Sequence, residues 1–318
     1  MHRRTLLSAS VATLAGCSVP ASRRVPESTV ELVALNPTAG FNFPYLLRYP
    51  SRTGKAPTTL IVEPNNSGHV SLDFAEHLQA AEGLIQNGIG GRVSASLQLP
   101  ILMPIFPRGP DLYTHSLGRT TLDTKDGRLR RLDQQLIAMI ADARSRLNTW
   151  GQPVAPKVVL TGFSASGMFV TRFATLHPTS VRAIAAGGLN SYVILPVAAL
   201  QGEPISFHLG VGDINRYTGQ AFEAPAWRRL PQYLFMGGTD TNDAVLYDDS
   251  YSPSERELVF RLVGREMPRR WEACRQIYEQ FGASAVFVTY PDLGHGTNRR
   301  VHADVAAFLT SHTKQDDA

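Results

Sequence analysis

Cysteine is nearly missing, with two residues, Cys17 and Cys274, in a chain of 318. If Cys17 is consumed by lipidation, as argued below, one thiol remains and no internal disulfide can form. Charge is sparse as well, at 18% of residues with a formal balance of +4. No dense Lys/Arg cluster interleaved with aromatics occurs, which argues against nucleic-acid binding. No apolar run is long enough to span a bilayer as a helix. No clustered His/Asp/Glu set has the spacing of metal ligands, so neither a metal nor an organic cofactor is expected. Internal repeats and a second domain boundary are also missing. What the chain does have is 43% hydrophobic residues, ample for the core of one large globular domain.

The first residues read M-H-R-R-T-L-L-S-A-S-V-A-T-L-A-G-C. A basic start (Arg3, Arg4) precedes a short apolar run from Leu6 to Ala15, the pattern of an export signal. Leu14-Ala15-Gly16-Cys17 resembles the bacterial lipobox, in which the cysteine thiol takes a diacylglycerol and becomes the mature N-terminus. Acyl chains add about 0.8 kcal/mol per buried CH₂, so several of them hold a protein firmly. The Arg3-Arg4 pair also resembles a twin-arginine signal. Residues 18–27 are polar with two prolines and read as a flexible tether. The expected organisation is a leader over 1–16, a tether over 17–29 and a catalytic domain over 30–318. The expected location is outside the cytoplasm, lipid-anchored to a bacterial membrane on the periplasmic or surface side.

Beyond the tether, strand and helix patterns alternate. Val30–Ala34 and Phe41–Tyr49 predict a leading strand pair, and Thr58–Glu63 a short apolar strand closed by the turn cluster P-N-N-S-G. A helix follows, with Phe74, Leu78, Ala81 and Ile85 at helical spacing and Ser71 as its expected cap. Leu99–Phe106 is another strand. Leu129, Leu132, Leu136, Ile140, Ala143 and Leu147 form the stripe of a long helix. Lys157–Thr161 lacks polar alternation, as a central parallel strand covered on both faces should. Val181–Ala186, Tyr233–Met236 and Ala285–Tyr290 are further strands. Asp248–Glu257 reads as a polar connection before a helix carrying Trp271, Cys274, Tyr278 and Phe281. The alternation predicts a mostly parallel central sheet with helices on both faces.

Between the Lys157–Thr161 strand and the next helix lies Gly162-Phe163-Ser164-Ala165-Ser166-Gly167, the context of a nucleophile elbow. So sharp a turn demands small residues two positions before and after the serine, and Gly162 and Ser166 meet that demand. Ser166 stands where glycine is usual. With Ser166 as nucleophile, Met168 would crowd the turn, so Ser164 is the expected nucleophile. A serine hydroxyl needs a base to take its proton. His295, after the last strand and between Gly294 and Gly296, is placed for this. His77 and His302 fall on expected helices and His177 ends one, while His69 and His115 lie in loops within reach of a ligand. The group that orients the imidazole is expected after the strand ending F-M-G-G-T-D, at Asp240, with Asp243 as the alternative. The oxyanion hole needs backbone N–H groups. Ala165 supplies one, and the P-N-N-S-G loop the other, at Asn66 or its neighbours Asn65 and Ser67.

The order serine, acid, histidine, together with G-F-S-A-S-G and P-D-L-G-H-G, resembles the α/β-hydrolase superfamily from about Thr58 to Leu309. The two motifs look most like those of secreted esterases such as polyhydroxybutyrate depolymerases and feruloyl esterases. P-Q-Y-L-F-M-G-G-T-D-T-N-D-A-V and R-R-W-E-A-C-R-Q-I-Y are similar to segments of other bacterial α/β hydrolases. The resemblance implies the α/β-hydrolase fold and cleavage of a small or oligomeric carboxylic ester through an acyl-enzyme. Peptidase or thioesterase action on the same residues is the alternative, and a binding lipoprotein on a hydrolase scaffold is another. The disulfides and substrate-binding appendage frequent in the depolymerases have no counterpart here.

Overall fold

A computed structural model describes residues 28–51, 56–125 and 127–313 of the chain. The leader, Cys17 and most of the tether lie outside the described residues. Eight strands form one sheet. At its edge β1 (Ser28–Val33) pairs antiparallel with β2 (Tyr45–Pro50), and β2 pairs antiparallel with β4 (Ile101–Pro104). From there every pairing is parallel: β4 with β3 (Ile61–Val62), β3 with β5 (Val158–Phe163), β5 with β6 (Val181–Gly187), β6 with β9 (Gln232–Gly237), and β9 with β10 (Ala285–Tyr290). A small hairpin of β7 (Ala199–Leu200) and β8 (Glu203–Pro204) stands apart.

Strand side chains alternate between two cores, as the period of two requires. Leu102, Leu160, Leu234 and Met236 face one core. Ile101, Met103, Val159, Tyr233 and Phe235 face the other. The second core is closed by α1 (Phe74–Asn87), α2 (Ile89–Leu97) and α10 (Arg299–Thr313), through Ala81, Ile85, Val93, Val301 and Leu309. The first is closed by α4 (Leu132–Thr149), α5 (Ala165–Leu176), α8 (Pro253–Val263) and α9 (Met267–Phe281). The short helices α3 (Arg119–Asp123), α6 (Asn215–Thr218) and α7 (Ala224–Arg229) sit in the long connections. Every residue of α5 is buried, which places the helix that follows Ser164 at the centre of the molecule. Its polar residues are satisfied within this core: Thr171 and Thr175 donate to carbonyls one turn back, and Arg172 donates to the Ser116 carbonyl at 2.8 Å. Among the described residues no helix is long and apolar enough to cross a membrane.

Three expectations change. The cap of α1 is Asp73, whose carboxylate accepts from the Ala75 N–H at 2.9 Å, while Ser71 Oγ accepts from the Asp73 N–H at 3.0 Å. The carboxylate sits one residue before the first helical turn, where it meets the free N–H groups directly. The polar stretch expected over Asp248–Glu257 is half helix, since α8 starts at Pro253 behind a capping box of Ser252 and Glu255. Lastly, β1 takes in Ser28 and Thr29 from the end of the expected tether, because Pro50 and Tyr49 stand in register to pair with them.

Candidate active site

The candidate residues gather at the C-terminal ends of β5, β9 and β10, beyond the edge of the sheet where α/β folds place their ligands. β5 ends at Phe163, α5 begins at Ala165, and Ser164 makes the whole turn between them. Its backbone sits at φ 59° and ψ −124°, a conformation that disfavours any side chain. The surroundings hold it there: the Ser164 N–H donates to the Gly187 carbonyl at 2.8 Å and its carbonyl accepts from the Met168 N–H at 3.0 Å. A Cβ at position 162 would meet the Ser166 carbonyl oxygen at 2.5 Å, so the turn closes only with Gly162. Ser166 is buried, and its Oγ donates to the Phe163 carbonyl at 2.9 Å and accepts from the Phe163 N–H at 3.0 Å. Its hydroxyl braces the turn.

Two loops bring acid and imidazole together. The chain after β9 is zipped to the chain after β10 by backbone bonds, Gly238 N–H to Tyr290 carbonyl at 2.7 Å and Thr239 N–H to Leu293 carbonyl at 3.0 Å. Asp240 Oδ2 then lies 2.9 Å from His295 Nδ1, with the carboxylate almost fully buried and the imidazole 26% exposed. The imidazole rests on the Phe163 ring at a centroid distance of 4.8 Å. Gly188, at φ +60°, passes so close that a Cβ there would lie 3.1 Å from His295 Cε1. Ring and glycine thus set the imidazole beside the serine turn. Among the described residues no hydrogen bond joins Ser164 Oγ to His295. The other ring nitrogen, Nε2, is 3.0 Å from Asn242 Nδ2, a partner that the sequence did not point to.

Asp243 goes elsewhere. Its carboxylate pairs with the fully buried guanidinium of Arg270 at 2.7 Å and caps the Val245 N–H at 3.1 Å. A buried guanidinium requires such a partner, so Asp243 is committed to the framework behind the acid loop.

On the opposite side of the serine lies the loop after β3. Ala165 offers the first N–H of α5, which by position has no intrahelical acceptor. Asn65 is buried, its N–H continues the sheet to the Pro104 carbonyl at 3.3 Å, and its side chain clasps the Phe106 backbone from both ends, at 3.0 and 2.9 Å. The Asn65 N–H is thus taken up, whereas among the described residues the N–H groups of Asn66 and Ser67 make no hydrogen bond. Asn66 also ties this loop to the elbow, donating from Nδ2 to the Phe163 carbonyl at 3.3 Å. His115 is buried below, donating from Nε2 to the Phe106 carbonyl at 2.8 Å, and burial pushes its imidazole down to about 3. His69 faces Glu76 on the surface at 2.9 Å. Both histidines thus have hydrogen-bond partners around this loop. Glu63, just after β3, is buried and among the described residues has no cationic partner: Thr161 Oγ1 donates to it at 2.9 Å and the Gly90 N–H also donates. Burial pushes its carboxyl up to about 7. Among the described residues no group of three or more His, Cys, Asp or Glu is placed to hold a metal ion.

No family model and no curated protein sequence matches the chain. Solved structures do. The chain is similar to poly(aspartic acid) hydrolase-1 from Sphingomonas sp. KT-1, with a TM-score of 0.56 and 18% identity over 89% of this chain and 98% of that one. It is similar to a poly(3-hydroxybutyrate) depolymerase from Bordetella parapertussis, with a TM-score of 0.56 and 16% identity over 92% of both chains. An esterase from Pseudomonas putida ECU1011 matches with a TM-score of 0.50 and 10% identity over 94% of this chain and 87% of that one. At such identities the likeness concerns the fold, which is the α/β-hydrolase fold.

Proposed function

We propose that this chain is a serine hydrolase that cleaves carboxylic esters through an acyl-enzyme, with Ser164 as nucleophile, His295 as base and Asp240 as the group that orients and supports the imidazole. The observation that carries the reading is the buried Asp240 carboxylate on His295 Nδ1 at 2.9 Å, beside a serine held in a strained turn at the end of a central strand. Ser164 Oγ attacks the ester carbonyl as His295 Nε2 takes its proton, and the carbonyl oxygen becomes an oxyanion facing the N–H groups of Ala165 and Asn66. The C–O bond to the alcohol then breaks, and His295 returns the proton to the leaving oxygen. Water attacks the acyl-enzyme by the same route, giving its proton to His295, and the carboxylic acid leaves as Ser164 regains its own. Esterases and hydrolases among the structures of this fold support ester hydrolysis in general terms.

The test is covalent. A fluorophosphonate should label the wild-type protein and not Ser164→Ala, which should lose on the order of 10⁶ in kcat while staying folded. Ser166→Ala should keep its labelling, because it removes a brace of the turn and not the attacking oxygen. Labelling that survives Ser164→Ala would sink the reading. Profiling p-nitrophenyl esters against the matching anilides and thioesters decides between ester, amide and thioester preference.

Anchoring belongs to the same proposal and rests on Leu14-Ala15-Gly16-Cys17 together with the tether that follows it. Mass spectrometry of the mature N-terminus should find acyl mass on Cys17. A chain starting at Ser18 behind an ordinary cleavable signal should be released from the membrane and keep its activity. An unmodified terminus cut elsewhere would overturn this part and leave the enzyme reading intact.

A further inference from the structure

Both ring nitrogens of His295 are occupied. Nδ1 stands 2.9 Å from a carboxylate oxygen, which can only accept, so Nδ1 carries the proton. Asn242 Nδ2, which can only donate, stands 3.0 Å from Nε2, so Nε2 presents its lone pair to it. The amide orientation is consistent at its other end, where the Tyr247 hydroxyl donates to Asn242 Oδ1 at 2.9 Å. The Asn242 backbone N–H is bound to Asp240 Oδ1 at 2.9 Å. One carboxylate thus fixes both the imidazole and the residue that covers it. The free end of this arrangement faces solvent: Tyr247 is 46% exposed and its neighbour Leu246 54% exposed.

The covered lone pair is the one that must take the Ser164 proton under the function proposed above, on which this inference rests. It must also return that proton to the leaving oxygen, which has to come within hydrogen-bond distance of Nε2. Asn242 Nδ2 already stands at that distance. We propose that Asn242, clamped by Tyr247, is a positioning residue that caps His295 in the substrate-free enzyme and is displaced by the alcohol side of the bound ester. The pair then helps set specificity on that side, because a substrate must exchange one hydrogen bond before the base is free.

Asn242→Ala and Tyr247→Phe test this with two readouts. The rate constant for fluorophosphonate labelling should rise by roughly two- to tenfold in Asn242→Ala, the weight of one exposed neutral hydrogen bond, and by less in Tyr247→Phe. In that reaction the Oγ–P bond forms, the P–F bond breaks, fluoride leaves and His295 takes the Ser164 proton. With p-nitrophenyl acetate, KM should fall while kcat holds, since bound substrate has already displaced the cap. A purely structural role would instead lower kcat or leave both constants alone, and either result overturns the cap. If Asn242→Ala fails to fold, Tyr247→Phe decides, because it removes one hydroxyl from a half-exposed ring: faster labelling supports the cap, and unchanged or slower labelling overturns it. Absence of wild-type labelling would strike the proposed function itself, a result separate from unchanged labelling in the variants.

Discussion

The two sides of Ser164 are built from different kinds of interaction. Toward β9 and β10 carboxylates anchor the frame: Asp240 on His295, Asp243 on Arg270, and Asp248 on Arg256. The imidazole there is partly open to water. Toward β3 and β4 the inner polar groups Asn65, His77 and His115 are buried and held by neutral hydrogen bonds, and the His69–Glu76 pair lies on the surface outside them. Under the proposed function, the contrast matches what each side would have to do. A base that gains and loses a proton in each cycle needs a charged partner to stabilise its cation, and it needs access to water for the second half of the reaction. An oxyanion hole works by not reorganising, so its N–H groups are best mounted on a rigid, uncharged frame.

The strongest way to break the comparison is to remove charge from the first side. Asp240→Asn should lower kcat by about 10⁴, because the imidazolium loses its support and the imidazole its tautomer. Asp243→Asn should leave kcat within about tenfold of wild type and instead lower stability by about 3–5 kcal/mol, since buried Arg270 is left without its partner. Steady-state kinetics and urea denaturation on both variants separate the roles. A larger rate loss at Asp243 would move the acid there.

The second side has its own exception, the buried Glu63. Its carboxyl is raised to about 7 from an ordinary 4.5 by burial, so the folded protein holds this proton more tightly than the unfolded chain does. The stability this gives is complete below pH 4.5 and is lost as pH rises toward 7, when folded Glu63 ionises as well. At 1.36 kcal/mol per unit, the loss is on the order of 3 kcal/mol. His115, lowered to about 3, works in the other direction: its contribution is present above its unfolded value near 6.5 and falls as pH drops toward 3. The windows overlap, so the wild-type curve alone does not separate them. Glu63→Gln should keep the hydrogen bond from Thr161 and abolish its share of the decline. The difference in unfolding free energy between variant and wild type should therefore widen from pH 4.5 to 7 in the variant's favour. A difference independent of pH would mean that Glu63 does not titrate in this range.

Legibility divides along local and long-range lines. The elbow is readable because its strain is local: Gly162, Ser164 and Ser166 are constrained by a turn of a few residues, and strand and helix patterns flank it. The histidine and acid loops are readable by place, each following an apolar strand through glycines, although the choice between Asp240 and Asp243 waits on the buried Arg270. Asn242 left no mark, because what matters is a contact with a residue 53 positions away. The same holds for Glu63, whose burial depends on α2 folding back so that the Gly90 N–H meets it. Helix α8 is hidden for another reason. The sequence carries its Ser252-Glu255 capping signal and the spacing of Val259, Phe260 and Val263, but the polar residues over its first turn have the composition of a connection.

The smallest expected effect tests whether the oxyanion side works through its backbone. Asn66 offers the proposed hole its N–H, which every residue but proline also carries. Its side chain does something separate, bridging from the Phe163 carbonyl at 3.3 Å to the Gly68 N–H at 3.2 Å. Both are long, partly exposed bonds, each worth no more than about 0.5–1 kcal/mol. Asn66→Ala removes this bridge and keeps the N–H, so kcat should fall only about two- to fivefold with KM little changed. The loop stays in place because buried Asn65 still clasps the Phe106 backbone. Removing one true oxyanion donor costs about 10²–10³ in kcat, so the two outcomes are well separated. A loss of that size in Asn66→Ala, with stability retained, would mean that the side-chain amide is itself a donor to the oxyanion. The rigid frame would then extend to a side chain, and the second side of the site would be less purely backbone than its neutral hydrogen bonds suggest.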